Sequence, residues 1–350
     1  MSLHCTACAH PLVIETVVHT DRDEVACERC GHRFPRCCGI VDLRTRVPSS
    51  CWTDARTMSE ATLVDRLASL FERARLLELI DEYSSAHRLP PGLLASARDY
   101  SRDAVERERW TVRYMDFCLR RYSGRSVGGR LVLDAGCGSG GSLPHLAAPS
   151  ERVIGVDVDL PSLVLAAKRC QELGIRDRVT LVGARLEDPA FAPGTFDQIK
   201  CTDVIEHVEC IEDACRQLTS WLVPGGASFV LTPNKWSFWN PEPHVRLWGV
   251  QFLPSRLADW YVERRIGIPY RTVAHLMGYG RFMRALRSSG PVTVTLVPVE
   301  DKYLNPDSSR GRAVKRVFAA WPLAALSRVV RPVQQSLEAI CVKAEEPSAT

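Results

Sequence analysis

Long apolar runs are missing from this 350-residue chain. No stretch approaches the ~20 apolar residues that a membrane-spanning helix needs, which argues against an integral helical membrane protein. Aromatic residues make up only 7%, and the net charge is +4, too mild a basic surplus to declare a nucleic-acid partner. Internal repeats and low-complexity tracts are absent, which removes repeat architectures. Met1-Ser2-Leu3-His4 offers no apolar signal segment, so the expected location is cytoplasmic. A hydrophobic content of 45% supports one large domain with appendages.

Fourteen cysteines remain to be explained. In a long chain without a signal segment they read as metal ligands and buried thiols rather than disulfides. Cys5-x-x-Cys8 and Cys27-x-x-Cys30 are two knuckles separated by a hairpin-length segment rich in strand formers, Pro11 to Val18. Four thiolates spaced this way predict a closed, tetrahedral Zn²⁺ site in a ribbon over residues 1–48. So short a module has too little core to fold without its metal. His4, His32, Cys37 and Cys38 lie close enough in sequence to replace a ligand.

The most informative stretch is Leu131-Val132-Leu133-Asp134-Ala135-Gly136-Cys137-Gly138-Ser139-Gly140-Gly141. An aliphatic run ends in an acid and enters a glycine-rich loop, the pattern of a buried parallel strand turning into a helix with its turn left bare for a ligand. Gly136-x-Gly138-x-x-Gly141 fits a dinucleotide fingerprint and Gly136-x-Gly138-x-Gly140 an S-adenosylmethionine loop, so the glycines alone do not choose. A second run, Arg152 to Asp157, places an acid about 20 residues on, where a ribose-binding carboxylate belongs to either ligand. Further strands are predicted at Val179–Val182, Phe196–Cys201 and Ala227–Leu231, with a helix closing at Leu222-Val223-Pro224-Gly225-Gly226. Strand and helix signals alternate, so the fold class is α/β with a doubly wound Rossmann-like sheet.

Leu133 to Gly140, Gly155-Val156-Asp157, Phe196-Asp197, Asp203-Val204-Ile205-Glu206-His207-Val208 and Leu222 to Gly226 together resemble the class I S-adenosylmethionine-dependent methyltransferases, in particular the small-molecule enzymes of the ubiquinone-biosynthesis type. The resemblance covers residues 129 to 235 well and the C-terminal part loosely. It implies that Asp134 and the backbone of Gly136, Gly138 and Gly140 hold the amino-acid end of S-adenosylmethionine, and Asp157 its ribose. Arg185 stands where an adenine-binding acid is expected, so that contact passes to the backbone of Leu186, to Glu187 or to Asp188. Cys201 and Thr202 would pass close to the methionine sulfur. Cys30 to Pro35 followed by Gly39 to Arg44 is similar to the zinc ribbon in front of some methyltransferases, certain ribosomal RNA guanine enzymes included.

Three segments surround this domain, which is assigned to residues 129–350. Residues 49–128 form a helical linker or lid. Ser59 N-caps a helix from Glu60 to about His87, Leu89-Pro90-Pro91-Gly92 breaks it, and a second helix runs to about Tyr122. These helices either pack on the sheet edge or present Tyr100, Trp110 and Tyr114 as a cover over the cofactor. Residues 235 to about 280 are an inserted cap, with Trp236, Phe238, Trp239 and Trp248 either lining a substrate pocket or forming a small core of their own. A helix over Leu257–Arg264, a helix around Phe282 and a strand at Val292–Leu296 follow. Gly311 to Pro332 alternates Arg312, Lys315, Arg316, Arg328 and Arg331 with apolar residues; it reads as a sheet-packed helix with a basic face, or as a peripheral membrane contact. Ser336–Lys343 is the last, antiparallel strand.

The favoured function is methyl transfer to a small-molecule or natural-product acceptor, lipid- and carrier-linked ones included, most simply to oxygen. A hydroxyl acceptor needs a base within hydrogen-bond reach. His207, after the fourth strand, and His244 and Glu242, on the cap, are the candidates; His145 follows the glycine loop on the cofactor side. The alternatives are an RNA base methyltransferase that grips RNA through its ribbon, which the modest charge disfavours, and a non-catalytic cofactor-binding scaffold.

Overall fold

The computed structural model describes residues 3–12, 24–46, 57–87, 91–238, 240–267, 270–298, 301 and 333–345. Trp239 and the basic segment 311–332 lie outside the described residues. Five parallel strands form the centre: β6 (Gly129–Ala135), β7 (Ser150–Asp157), β8 (Val179–Gly183), β9 (Phe196–Thr202) and β10 (Leu222–Pro233). Their interiors are buried and mostly aliphatic, as strands covered on both faces require, with Asp134 on β6 and Gln198 and Lys200 on β9 among the buried polar residues. β12 (Ser336–Lys343) pairs antiparallel with β10, and β11 (Val292–Leu296) pairs antiparallel with β12. The sheet is therefore mixed at this edge, and Ser336–Lys343 takes the antiparallel place predicted for it.

The opposite edge carries the N-terminal segment. β5 (Ile40–Asp42) pairs parallel with β8 through Ile40 with Leu181, Val41 with Val182 and Asp42 with Gly183. β4 (Arg33–Cys37) and β3 (Glu24–Ala26) continue outward, giving ten strands in the order β11-β12-β10-β9-β6-β7-β8-β5-β4-β3. β1 (Leu3–His4) and β2 (Pro11–Leu12) form a separate pair beside them. Residues of the 1–48 segment thus belong to the same sheet as the methyltransferase-like strands. Leu3, Cys5, Leu12, Cys27 and Phe34 are buried in one core with Phe191, Phe196 and Trp221. That shared burial supplies the core which a ribbon of this length lacks by itself.

Helices cover both faces. On one side lie Glu60–Leu70, Leu76–Ser85, Ala104–Ser123, Leu143–Ala147 and Leu160–Glu172; on the other lie Ile211–Trp221 and Tyr279–Arg287. Ile211–Trp221 shows the pattern: Ile211, Ala214, Cys215, Leu218 and Trp221 point inward at helical spacing while Glu212 and Asp213 stand at its positive N-terminal end. The linker departs from the two helices expected. Ser59 does cap the first, its Oγ accepting from the Thr62 N–H at 3.1 Å. That helix ends at Leu70, because Lys168 Nζ takes the Phe71 carbonyl at 2.8 Å and the Leu76 N–H turns to Glu172 at 2.7 Å. The second breaks at Asp103 into Pro91–Arg102 and Ala104–Ser123.

The helix Ile211–Trp221 closes at Leu222, its C-cap, and Leu222–Gly226 is also a bulged strand start: Leu222 pairs with Phe196 and Ala227 with Gln198, and Gly225 takes φ +70°. The cap folds around a small aliphatic core of Val245, Val250, Ala258, Val262, Ile266, Val273 and Ala274, with the helix Ser255–Ile266 across it. Trp236, Phe238 and Trp248 are not in that core; their rings are exposed, with Trp236 stacked on Phe252.

Candidate active site

The glycine loop follows β6. Gly136, Gly138 and Gly140 all adopt positive φ, at +76°, +50° and +80°, a region that favours glycine. The Gly136 and Cys137 N–H groups donate to the Val156 carbonyl at 2.8 and 3.0 Å, which hooks the loop onto β7. Two glycines differ in what surrounds them. A Cβ on Gly136 would sit 2.1 Å from Val204, in the loop after β9, whereas a Cβ on Gly138 would meet nothing within 4 Å. The bare space at Gly138 is the cradle in which a ligand can approach the backbone.

Asp157, at the end of β7, joins the two sides of this cradle. Its Oδ2 accepts from the Gly138 N–H at 2.7 Å and its Oδ1 from the Asp159 N–H at 2.9 Å. Each oxygen retains acceptor capacity for a ligand hydroxyl. Burial, reinforced by the Asp159 charge, raises its carboxyl to about 6 despite those two donors.

Asp134 is placed differently from the expectation that it touches the cofactor. It is fully buried beneath the loop, where Ser142 Oγ donates to Oδ2 and Lys200 Nζ lies 3.2 Å from Oδ1. Asp134 and Lys200 are direct cross-strand partners on β6 and β9, and Glu108 from the helix Ala104–Ser123 completes the group at 3.4 Å from Lys200 Nζ. The carboxylates outweigh the desolvation of this lysine and raise its pKa. Asp134 therefore supports the loop rather than lining the cleft. Cys201 likewise faces the buried core, not the cleft, because it sits mid-layer between Ala135 and Val230. Thr202, next along β9, is partly accessible at the strand end.

In the loop after β8, the Arg185 guanidinium lies 3.3 Å from Glu187 and 3.0 Å from Glu209. Glu187 also accepts the Glu209 N–H at 2.8 Å, and Leu186 is buried. Glu187 is thus committed to neighbouring protein groups on an otherwise hydrogen-bonded turn. Of the suggested cover residues, Tyr114 is buried and donates to Glu338, Trp110 stacks on it at 5.1 Å, and Tyr100 is exposed under the Arg107 guanidinium. His145 is tied to the Val105 carbonyl at 2.8 Å.

The structure brings His207, His244 and Glu242 together and adds Glu206. Asp203, with φ +56°, turns the chain sharply after β9 and aims the next residues across the strand ends. Glu206 is fully buried; Thr232 on β10 donates to its Oε2 at 2.9 Å, while Oε1 accepts no hydrogen bond. His244 Nδ1 is 2.7 Å from Glu242 Oε1, and its Nε2 points to Glu206 Oε1 at 3.8 Å. His207 Nδ1 is 2.9 Å from the Val273 carbonyl, and the two imidazoles meet edge to face at 4.9 Å. Nδ1–H donation at both rings would leave both Nε2 atoms as free bases or ligands.

Burial alone would lower the pKa of His244; the Glu242 hydrogen bond and the charges of Glu242, Glu206 and Asp203 overcome it and raise the ring. Glu206 is pushed up to about 8 by burial and by Asp203. His207 moves the other way, lowered by desolvation and by its neighbour His244. Ligand atoms of Glu206, His207 and His244 all lie within 4.8 Å of one another, so the same cluster can hold a proton or a divalent cation.

The four knuckle cysteines also converge, with all Sγ atoms within 4.8 Å. Cys5–Cys30 is 3.6 Å and Cys8–Cys27 is 3.7 Å, close to the ~3.8 Å edge of a tetrahedron with ~2.3 Å metal–sulfur bonds. The two knuckles have matching turns: Ala9 and Gly31, each after the second cysteine, take positive φ and donate to the carbonyls of Cys5 and Cys27. Cys37 and Cys38 contact each other instead, at 3.7 Å.

Sequence reasoning missed Glu206, Lys200 and Thr232 as members of the site. Lys200 carried a readable signal: a charge between Ile199 and Cys201 in a buried strand requires a partner, and Asp134 was the acid of the neighbouring strand. Glu206 carried a weaker one, an acid directly before His207 at a strand end.

Strand order, glycine cradle and ribose-side acid together define a class I S-adenosylmethionine-dependent methyltransferase fold. The methyltransferase domain family matches residues 132–226. An uncharacterised protein of Synechococcus sp. is 39% identical over 112 residues, covering 31% of this chain and 26% of that protein. The ubiquinone biosynthesis O-methyltransferase of Chromobacterium violaceum is 34% identical over 111 residues, covering 31% of this chain and 47% of that enzyme. The chain thus spans less than half the length of these two curated relatives. Among solved structures, Haemonchus contortus phosphoethanolamine N-methyltransferase 2 in complex with S-adenosyl-L-methionine is similar at 18% identity and a TM-score of 0.44, over 67% of this chain and 53% of that one. Among the described residues, no helix is long and apolar enough to cross a membrane.

Proposed function

We propose that this chain transfers a methyl group from S-adenosylmethionine to a hydroxyl oxygen of a small-molecule acceptor, with Zn²⁺ held by Cys5, Cys8, Cys27 and Cys30 in a structural role. The observation that carries the O-directed part is the Glu206–His207–His244–Glu242 cluster, set against the glycine loop through the contact of Val204 with Gly136. Similarity to relatives named as O-methyltransferases supports the same choice. When bound, the cofactor supplies an electrophilic sulfonium methyl, so the protein's share is positioning, desolvation and proton removal.

The Gly136–Gly140 backbone holds the amino-acid end, and the two Asp157 oxygens accept the ribose hydroxyls. His244, oriented by Glu242, would accept the acceptor's proton at Nε2; the methyl would pass to the acceptor oxygen as the carbon–sulfur bond breaks, its electron pair staying on the sulfur of S-adenosylhomocysteine. The imidazolium so formed is stabilised by Glu242 and Glu206. A second arrangement has support in the orphaned Glu206 Oε1: a divalent cation on Glu206, His207 and His244 that lowers the pKa of the acceptor hydroxyl instead.

Calorimetry with S-adenosylmethionine and S-adenosylhomocysteine on wild type and Asp157→Ala tests the cofactor assignment; micromolar binding lost in the variant is expected, and no binding by wild type would overturn it. Methyl-labelled donor with a panel of phenols and alcohols then tests the acceptor class. His244→Ala is expected to lose at least about a hundredfold in turnover under a rate-limiting chemical step. Unchanged turnover in both His244→Ala and His207→Ala would end the base assignment. Manganese binding followed by electron paramagnetic resonance, in wild type but not in Glu206→Gln, would favour the cation arrangement.

A further inference from the structure

We infer that Arg44 is a positioning residue that couples the four-cysteine centre of the ribbon to the ribose side of the cofactor site, so that metal and cofactor bind cooperatively. This rests on the assignments of zinc and S-adenosylmethionine proposed above.

A continuous line of hydrogen bonds joins the two places. Thr6 stands between the ligands Cys5 and Cys8, and its hydroxyl donates to the Leu43 carbonyl. The Leu43 N–H donates to Gly183 at the end of β8, at 2.7 Å, continuing the β5–β8 pairing. Arg44 follows directly. Its side chain is only 3% exposed, and its guanidinium is clamped on Asp42 by Nε at 2.8 Å and by Nη2 at 2.9 Å. Nη2 also reaches Glu60, in the first turn of the helix Glu60–Leu70, at 2.7 Å. Nη1 reaches the Val158 carbonyl at 2.6 Å.

Val158 lies between Asp157, the ribose-side acid, and Asp159. The Asp159 N–H holds Asp157 Oδ1, and the Asp159 side chain caps the helix Leu160–Glu172 by accepting from Ser162 at 3.1 Å. Arg44 therefore fixes the backbone on which the Asp157 carboxylate is aimed. A buried guanidinium is tolerated only with its acceptors in place. Its planar fork serves three of them at once, from the ribbon strand, the linker helix and the ribose-side turn. Loss of the metal frees the first knuckle, hence Thr6, Leu43 and the Asp42–Arg44 clamp, and the Val158 carbonyl loses its donor. By linkage, whatever the metal does for cofactor affinity the cofactor does for metal affinity.

Zinc affinity is measured by competition with a chromogenic chelator, on zinc-loaded full-length protein with and without saturating S-adenosylhomocysteine. Two variants accompany wild type. Arg44→Lys keeps the charge that Asp42 and Glu60 require but cannot reach all three acceptors, and Thr6→Val cuts the line at its ribbon end without touching the buried arginine. Wild type is expected to hold zinc about fivefold tighter or better with the ligand present. Both variants are expected to shrink that factor toward one while one zinc per chain and the circular dichroism spectrum are retained. Should Arg44→Lys fail to fold, Thr6→Val alone decides. A wild-type protein that binds S-adenosylhomocysteine with no change in zinc affinity, or variants with undiminished coupling, would overturn the role of Arg44 and leave the cofactor assignment standing. No ligand binding by wild type would overturn both.

Discussion

Alanine placed at Gly136 and at Gly138 should produce opposite phenotypes, although the two glycines are separated by one residue and share positive φ. At Gly138, φ is +50° and the new methyl meets nothing within 4 Å. The cost is the left-handed conformation alone, about 1 kcal/mol. At Gly136 the same conformational cost is joined by a Cβ 2.1 Å from Val204 Cγ2 and 2.8 Å from Cγ1. Val204 cannot yield freely, because Asp203 before it donates its N–H to Leu231 at 2.9 Å and the His207 N–H binds the Val204 carbonyl at 2.8 Å. Overpacking of this kind adds roughly 1–3 kcal/mol.

Gly136→Ala is therefore expected to lose ~2–4 kcal/mol, a fall in Tm of roughly 3–5 °C for a chain of this size. Gly138→Ala is expected to lose only about 1–2 °C, yet to weaken S-adenosylhomocysteine binding by at least about tenfold, because its methyl enters the ligand's space. Scanning calorimetry reads the first quantity and titration calorimetry the second. The reasoning fails if Gly138→Ala keeps wild-type affinity, or if it melts below Gly136→Ala.

With the Asp157 carboxyl near 6, cofactor affinity is expected to fall as pH drops through about 6, where protonation removes acceptors for the ribose hydroxyls; Asp157→Asn should give weak, pH-independent binding by titration calorimetry. The same raised value means that the ligand-free chain loses stability as pH climbs from about 4 to about 6, by roughly 3 kcal/mol at most, and Asp157→Asn should flatten that slope in denaturant titrations. Glu242→Gln removes the charge that raises His244, so the acid limb of the pH–rate profile should move to lower pH; an unmoved limb would exclude His244 as the titrating base. Tyr114→Phe leaves buried Glu338 without its phenolic donor and should cost about 1–3 kcal/mol in denaturant unfolding while sparing cofactor affinity, since neither group enters the cleft.

The central strands and the glycine loop were legible because their signals are local. A buried parallel strand needs an unbroken aliphatic run, and a bare turn needs glycine, whatever surrounds them. The convergence of the paired cysteines was legible for the same reason, each pair standing on a short turn with its own backbone geometry. Orientation was not. Asp134 and Cys201 sit beside the cleft in sequence, but which way a side chain of a strand end points depends on register with neighbouring strands, and both turn inward. The exposed Trp236, Phe238 and Trp248 overturn the small-core alternative for these rings, since the rule that aromatic residues seek cover holds only on average. The attachment of β5 was hidden altogether. Ile40-Val41-Asp42 is three residues long, and its partner Leu181-Val182-Gly183 lies far along the chain.

That attachment and the buried Lys200 group have a common consequence for the site. A parallel edge strand such as β8 would leave unpaired backbone groups beside the ribose-side loop; β5 satisfies them and places Arg44 under Val158. On the other side of the loop, Lys200 ties β6, β9 and the helix Ala104–Ser123 through Asp134 and Glu108. Buried ion pairs add little net stability over apolar packing, but they tolerate only one arrangement of the elements that contribute them. Glu108 ties its helix to Lys200 beneath the loop, so this part of the linker is fastened to the central sheet. The two halves of the cradle are thus held from below by charge, through the buried Arg44 and Lys200. The Gly138 backbone between them remains the open surface.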